Sequence, residues 1–320
     1  VADRIRRYLP IMQRVVDLSS DGLHVAIHRG FLTVSKDREE QGRVALDDIN
    51  GVIAHAHGLT WSNTVFTRLA ERSVPIVLCA QNHAPVACVW PIEGNHAQGA
   101  KLNAQANAPK PLMKRLWRDI VFAKIQMQGA ILASTGAEAG AFDMLARKVR
   151  SGDPENVEAQ AARRYWRAMM GPGFRRDTGG DDINALLNYG YTILRAIVSR
   201  AICAAGLHPT IGLHHSNRGN SFALADDLME PYRPLVDRLV YNLRQQGQDE
   251  VTQEAKQILV ELTSFDLESS QGLSPLYVHV TRLAQQLAAV YQDGSGKLEL
   301  PSSPSPLVLS GLGHRGQQET

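Results

Sequence analysis

Short runs of β-branched and other apolar residues, broken by turn residues, dominate the first part of the chain. Residues 13–18, 23–28 and 31–34 each carry enough Val, Ile and Leu for a strand. Ser20-Asp21-Gly22 and Arg29-Gly30 separate them, and such punctuation predicts hairpins. Residues 47–53 read as a connection into a further strand. Val65, Phe66 and Leu69 recur at helical spacing, which predicts a short helix from about Ser62. Residues 75–79 and 86–90 return to strand.

The pattern changes near Gly94. Residues 93–109 are polar with few bulky apolar side chains and read as a linker with scope for some helix. From Lys110 the spacing becomes helical: Leu112, Leu116, Ile120, Val121, Ala123 and Ile125 fall broadly at three- and four-residue intervals. Asp153-Pro154 predicts an N-cap and first position for a helix reaching Met170, which Gly171-Pro172-Gly173 then ends. Further helices are expected over 183–205, 226–246, 249–264 and 275–292. The expected fold class is α+β: a small β-rich N-terminal domain (1–92), a linker (93–109), an α-helical domain (110–293) and a disordered tail (294–320), rich in Ser and Pro at its start.

Composition narrows the class. Hydrophobic residues are 44% of the 320, enough for a packed core, so global disorder is excluded. The uncharged stretch 125–136 is too short to cross a membrane, and no charged-then-apolar leader opens the chain. The first residue is Val, so the natural start is expected upstream. Cys79, Cys88 and Cys203 form no C-x-x-C pair, which fits buried thiols in a reducing, cytoplasmic setting. Net charge is only +2, but residues 101–150 hold nine Lys/Arg against three acids, and five Arg without an acid lie between Arg163 and Arg176. Such clustering suits a polyanion or simply solvated helix faces.

There is no phosphate-binding loop, no G-x-S-x-G elbow, no H-E-x-x-H and no dinucleotide fingerprint. What remains is carboxylates and histidines in the helical part. Glu158 falls early in its helix, with Arg163 and Arg164 a turn or two beyond, an arrangement that on this segment alone favours an intrahelical ion pair. His214-His215 precede a polar turn, and Asp227 and Glu230 follow at i, i+3 on one helix face. One imidazole with carboxylates offers mixed N/O ligation suited to Mg²⁺ or Mn²⁺, or else a polar turn beside an ion pair. His55 and His57 share a strand face without an acid or Cys to complete a ligand set, and His83, His96 and His279 stand alone. Tyr165, Trp166, Tyr189 and Tyr191 read as core aromatics.

Three blocks together carry a resemblance: Glu158-Ala-Gln-Ala-Ala-Arg-Arg-Tyr165-Trp166, Asn184-Ala-Leu-Leu-Asn188-Tyr189-Gly190-Tyr191, and the run from Gly212 to Asp237 with Leu224-Ala225-Asp226-Asp227-Leu228-Met229-Glu230-Pro231-Tyr232-Arg233-Pro234. In this order they resemble the CRISPR-associated integrase of spacer acquisition, the universal adaptation enzyme, in its type II form. The resemblance spans about residues 10–292; the N-terminal part matches weakly and the tail not at all. It implies that Glu158, His215 and Glu230 hold a catalytic Mg²⁺ or Mn²⁺, with Asp227 secondary and His214 the doubtful neighbour of His215. It implies transesterification, in which the 3′-hydroxyl of a short DNA fragment attacks a phosphodiester at the edge of a CRISPR repeat. Arg163, Arg164, Arg167, Arg175 and Arg176 would then hold DNA phosphates. It also implies a homodimer paired through the β-rich domain and a small ferredoxin-like partner in a heterohexamer. A crRNA-guided nuclease and a ring-shaped DNA-end-binding protein are further expected partners. Two competing readings are a metal-dependent nuclease that uses water as nucleophile and a non-catalytic DNA-binding scaffold.

Overall fold

The structure, a computed structural model, describes residues 14–312 apart from 57, 81–84, 93, 94, 96, 216, 218, 270 and 271. His57, His83 and His96 therefore lie outside the described residues.

The N-terminal part is two four-stranded sheets. One has the order β4(Glu39–Ala45)-β3(Phe31–Lys36)-β2(Leu23–His28)-β6(Thr60–Trp61), and the other β1(Arg14–Leu18)-β5(Ile49–Ala54)-β7(Ile76–Cys79)-β8(Pro85–Val89). The β2–β3 hairpin closes on Arg29 and Gly30, both at positive φ, as a tight two-residue turn requires. Strand β4 was not expected: its sequence, EEQGRVA, is mostly exposed and carries no apolar alternation. Strand β5 is buried along its whole length because each face packs on something different. Ile49 and Val52 join a small core with Val25, Leu32 and the helix α1(Asn63–Ala70). Ile53, with Val15 and Val77, joins the large core of the helical part. At Gly51 a Cβ would sit 3.3 Å from Cβ of Ala196, so the glycine lets strand and helix approach closely.

The helical part runs α2(Gln98–Ala106), α3(Lys110–Ser134), α4(Ala141–Lys148), α5(Val157–Met170), α6(Ile183–Ala205), α7(Ala223–Met229), α8(Arg233–Gln245), α9(Gln253–Val260), α10(Leu276–Asp293) and α11(Pro306–Ser310), with a small hairpin of β9(Asp266–Ser269) and β10(Gly272–Pro275) before α10. Helix α6 is apolar almost all round and is buried by the β1–β8 sheet, α8, α9 and α10. Within 93–109, α2 docks on α10, and its buried Gln105 donates to the carbonyls of His208 and Ile211. The expected disorder of the tail is corrected over residues 294–312. Helix α11 packs on α3 and buries Leu309, and Leu312 is buried beyond it, so apolar burial holds a segment whose Ser/Pro content suggested none. Residues 313–320 lie outside the described residues.

Cys79 and Cys203 are buried free thiols, and Cys88 is half-buried and also free. The aromatic residues Tyr165, Tyr189 and Tyr191 are core, as expected. His279 is buried against the carbonyl of Leu267. His55 is buried too, beside Asp17 and the Tyr189 ring, rather than half-exposed on a strand. No helix among the described residues is long and apolar enough to cross a membrane.

Candidate active site

Backbone breaks place the carboxylates. The expected continuous helix over 226–246 is interrupted: α7 ends at Met229, Glu230–Tyr232 form a 3₁₀ turn, and α8 starts at Arg233. Pro231 and Pro234 cannot donate to the preceding turn, which accounts for the bend. Glu230 stands at that bend, facing α3. Glu158 stands in the first turn of α5. The N-cap of α5 is Asn156, at positive φ, not Asp153. Asp153 caps from three residues further out, its carboxylate accepting from the amides of Val157 at 2.9 Å and Glu158 at 3.0 Å.

The two glutamates meet around a lysine. Nζ of Lys124, in the middle of α3, lies 2.5 Å from Oε1 of Glu158 and 2.5 Å from Oε2 of Glu230. Nε of Arg233 is 3.0 Å from the other oxygen of Glu230. Burial works against the Lys124 ammonium, but Glu230 and Glu158 outweigh it and hold its pKa above the ordinary lysine value. Burial also opposes the Glu230 carboxylate, yet Arg233 and Lys124 hold its pKa below the usual range. The site is thus a charged, paired cluster in a buried setting.

His215 joins from the loop before α7. Its Nδ1 is 2.5 Å from Oδ1 of Asp227. Asp227 is wholly buried, and its oxygens also accept from the amides of Leu213 at 2.6 Å and His214 at 2.9 Å. Its hydrogen-bonding capacity is spent on holding this loop. The hydrogen bond that His215 donates to Asp227 raises the His215 pKa, burial opposes it, and Asp227, Glu230 and Glu158 add electrostatic support. His214 turns elsewhere: its ring stacks on Trp117 with centroids 4.4 Å apart and planes 2° from parallel. Asp226, next to Asp227, pairs with Arg195 at 2.7 Å and accepts from Asn220 at 2.8 Å. Among the described residues no three His, Cys, Asp or Glu side chains stand grouped as a ready metal site. The Lys124 ammonium sits between the two glutamates instead.

The arginines divide into two sets. At about 100° per residue, Arg163, Arg164 and Arg167 lie about 140°, 240° and 180° round α5 from Glu158. All three are exposed, on the face turned away from Glu158, and Arg175 is exposed in the loop after α5. The structure does not bring these four to the carboxylates. Arg176 instead borders the same cavity as Glu230. It donates to Asn184 at 3.1 Å and Asn188 at 2.6 Å, lies over the Tyr191 ring, and with Lys124, Glu230, Arg233 and Asp237 lines a cavity of about 110 Å³. Its hydrogen bonds brace the loop between α5 and α6, a structural duty that the charge pattern did not suggest.

Lys124, Arg233 and Arg195 were not among the expected site residues. A signal for Lys124 was present: with Gln128 it occupies inward positions on the apolar stripe of α3, in step with Ile120, Val121 and Ile131. A lysine at a core position needs a buried partner.

The family model described as "CRISPR associated protein Cas1" matches residues 17–263 of this chain. The chain belongs to the Cas1 family. It is 33% identical over 289 residues to a protein of Neisseria meningitidis serogroup C named "CRISPR-associated endonuclease Cas1", covering 89% of this chain and 94% of that one. A Pyrobaculum aerophilum relative, "CRISPR-associated endonuclease Cas1 2", is 27% identical over 292 residues, covering 87% and 98%. Among solved structures, a casposase bound to integration product shares the fold with a TM-score of 0.75 at 20% identity, covering 89% of this chain and 92% of that one. A chain of a Cas6-RT-Cas1–Cas2 complex does so with 0.72 at 21%, covering 88% and 35%. The Cas1 family and the casposase neighbour agree with the β-then-helical division expected from the sequence.

Proposed function

We propose that this chain is a metal-dependent DNA integrase of CRISPR adaptation, joining short DNA fragments to a repeat by attack of a 3′-hydroxyl on a phosphodiester, with an associated endonuclease activity. The chain is an enzyme of the CRISPR-associated endonuclease class to which its relatives belong. The observation that carries the finer reading is the meeting of Glu158 and Glu230, from separate elements, around a single cationic position beside His215.

The donor set fits Mg²⁺ or Mn²⁺: two carboxylates converge on one cation already, and His215 lies within their electrostatic reach. Glu158, Glu230 and Nε2 of His215 would hold the ion. Bound there, it would polarise a phosphodiester and offset the charge that builds on it. Asp227, expected as a secondary ligand, has its oxygens committed to His215 and the loop amides. We assign it to orienting the imidazole so that Nε2 faces the glutamates. Arg233 and Arg176 border the same cavity and can steady a phosphate beside it.

As partners we propose double-stranded DNA, a second copy of the chain paired through the N-terminal sheets, and a small protein of the Cas2 kind, which is named with Cas1 in one solved assembly. The test mixes the purified chain and that partner with a short duplex bearing 3′-hydroxyl ends and a plasmid carrying the repeat, in Mg²⁺, Mn²⁺ or EDTA. Metal-dependent joining that is lost in Glu158→Gln, His215→Ala and Glu230→Gln, while each variant stays folded and binds DNA, is the expected result. Cutting without joining would replace integration by hydrolysis. DNA binding with no chemistry in any metal would leave the scaffold reading.

A further inference from the structure

Lys124 is 9% exposed, a rare situation for lysine, and its ammonium touches both glutamates that the proposed metal site would use. It joins three elements: α3, which carries it, the first turn of α5, and the bend after α7. With Arg233 on the other oxygen of Glu230, the two carboxylates already face two positive charges at 2.5–3.0 Å. Their charge is balanced as the site stands. A divalent ion held by the same carboxylates would leave two positive charges in excess while Lys124 stayed put. Repulsion of that kind is strong in a buried setting.

We infer that Lys124 is a built-in counter-ion occupying the cation seat, and that a divalent metal binds this chain by displacing it. The inference rests on the proposed metal site and adds a residue that governs its affinity. The lysine stem is flexible, and the cavity of about 110 Å³ that Lys124 helps to line opens beside the seat, so the ammonium has space into which to withdraw. Lys124 is a positioning residue on this account. It keeps the two carboxylates together before the metal arrives, and it lowers the affinity with which the metal is then held.

The test is binding of Mn²⁺ alone, followed by the electron paramagnetic resonance signal of the free ion, on the full chain without DNA. Lys124→Met and Lys124→Gln remove the charge, and Lys124→Arg keeps it. Both neutral variants are expected to bind Mn²⁺ about tenfold or more tightly than wild type. They should also melt at lower temperature without metal and gain more from adding it. Lys124→Arg should bind no more tightly than wild type. If Lys124→Met does not fold without metal, Lys124→Gln, which retains hydrogen-bond donors, supplies the comparison. Unchanged or weaker Mn²⁺ binding in the neutral variants, with wild-type binding still sensitive to Glu158→Gln, overturns the inference and leaves the metal site standing. Absence of Glu158-dependent Mn²⁺ binding in wild type and neutral variants alike overturns both.

Discussion

Asp237 is 2% exposed on α8 and accepts a hydrogen bond from the Tyr191 hydroxyl. Burial pushes its carboxyl up to about 7, although Tyr191 and the arginines Arg233 and Arg176 pull the other way. The folded chain therefore keeps a proton that the unfolded chain releases near the ordinary aspartate value. Its contribution to stability is full below that value and is lost as pH rises through about 7. Asp237→Asn removes this titration. Relative to the variant, wild type should lose on the order of 2 kcal/mol between about pH 5 and about pH 8 in urea unfolding. A constant difference across that range would place the proton elsewhere. His215 gives a second pH dependence. Its pKa is raised by Asp227, and a ligand imidazole must be neutral, so Mn²⁺ affinity should rise as pH passes above the usual histidine range and should lose that rise in His215→Ala. At this scale the blocks around Glu158, His215 and Glu230 were distinctive in the sequence, and the structure brings Glu158 and Glu230 onto Lys124 with His215 in their field. Lys124 was not singled out because an isolated lysine in an apolar helix resembles any solvated charge until its inward position is weighed. Asp227 was legible as an acid near the site, but not as a group whose oxygens are spent on backbone amides.

The elements around the site depend on close approaches. On α6, a Cβ added at Gly190 would fall well inside contact distance of Cγ1 of Val236 on α8. Alanine is the better helix former by about 1 kcal/mol, so propensity alone predicts that Gly190→Ala stabilises. Overpacking a fixed core contact costs about 1–3 kcal/mol and is expected to win here, because α6 is buried on nearly every side and cannot shift away. The variant should lower the urea midpoint, and Val236→Ala in the same chain should restore much of the loss. A gain in stability from Gly190→Ala alone would mean that the two helices separate easily. Most helices were legible from periodicity and from glycine stops such as Gly206. The bend at Glu230 was hidden, because the prolines that cause it also fit a helix start. Strand β4 was hidden because an exposed edge strand needs no apolar alternation. Helix α2 was allowed for within the linker but not bounded, and the segment ending in α11 was hidden, because burial of a few residues, such as Gln105 and Leu309, decides their order.

Across the whole molecule, charge is sorted by location rather than by amount. Net charge is +2, and several basic residues of the 101–150 cluster are already paired: Arg118 with Asp119, Arg150 with Glu155, and Lys124 with the two glutamates. Those pairs have little left to offer a polyanion. Arg163, Arg164 and Arg167 are exposed on the outer face of α5, and no hydrogen bond or ion pair engages them among the described residues. A DNA backbone lying along this face would release about one counter-ion per neutralised phosphate, giving a slope of about −0.9 in log affinity against log salt for each contact. Replacing all three by Gln should weaken duplex binding and flatten the measured slope by roughly 2 to 3. Because this face is turned away from Glu158, Mn²⁺ binding in the same variant should stay at the wild-type value. Replacing Arg176 would not make the same point, since its guanidinium braces Asn184 and Asn188 and its loss would disturb the loop that frames the site. Fluorescence anisotropy of a labelled duplex at several salt concentrations separates the outcomes. A flattened slope with intact Mn²⁺ binding places the DNA track on the outer face of α5. An unchanged slope assigns the phosphate contacts to another surface and leaves this stripe as a solvated helix face.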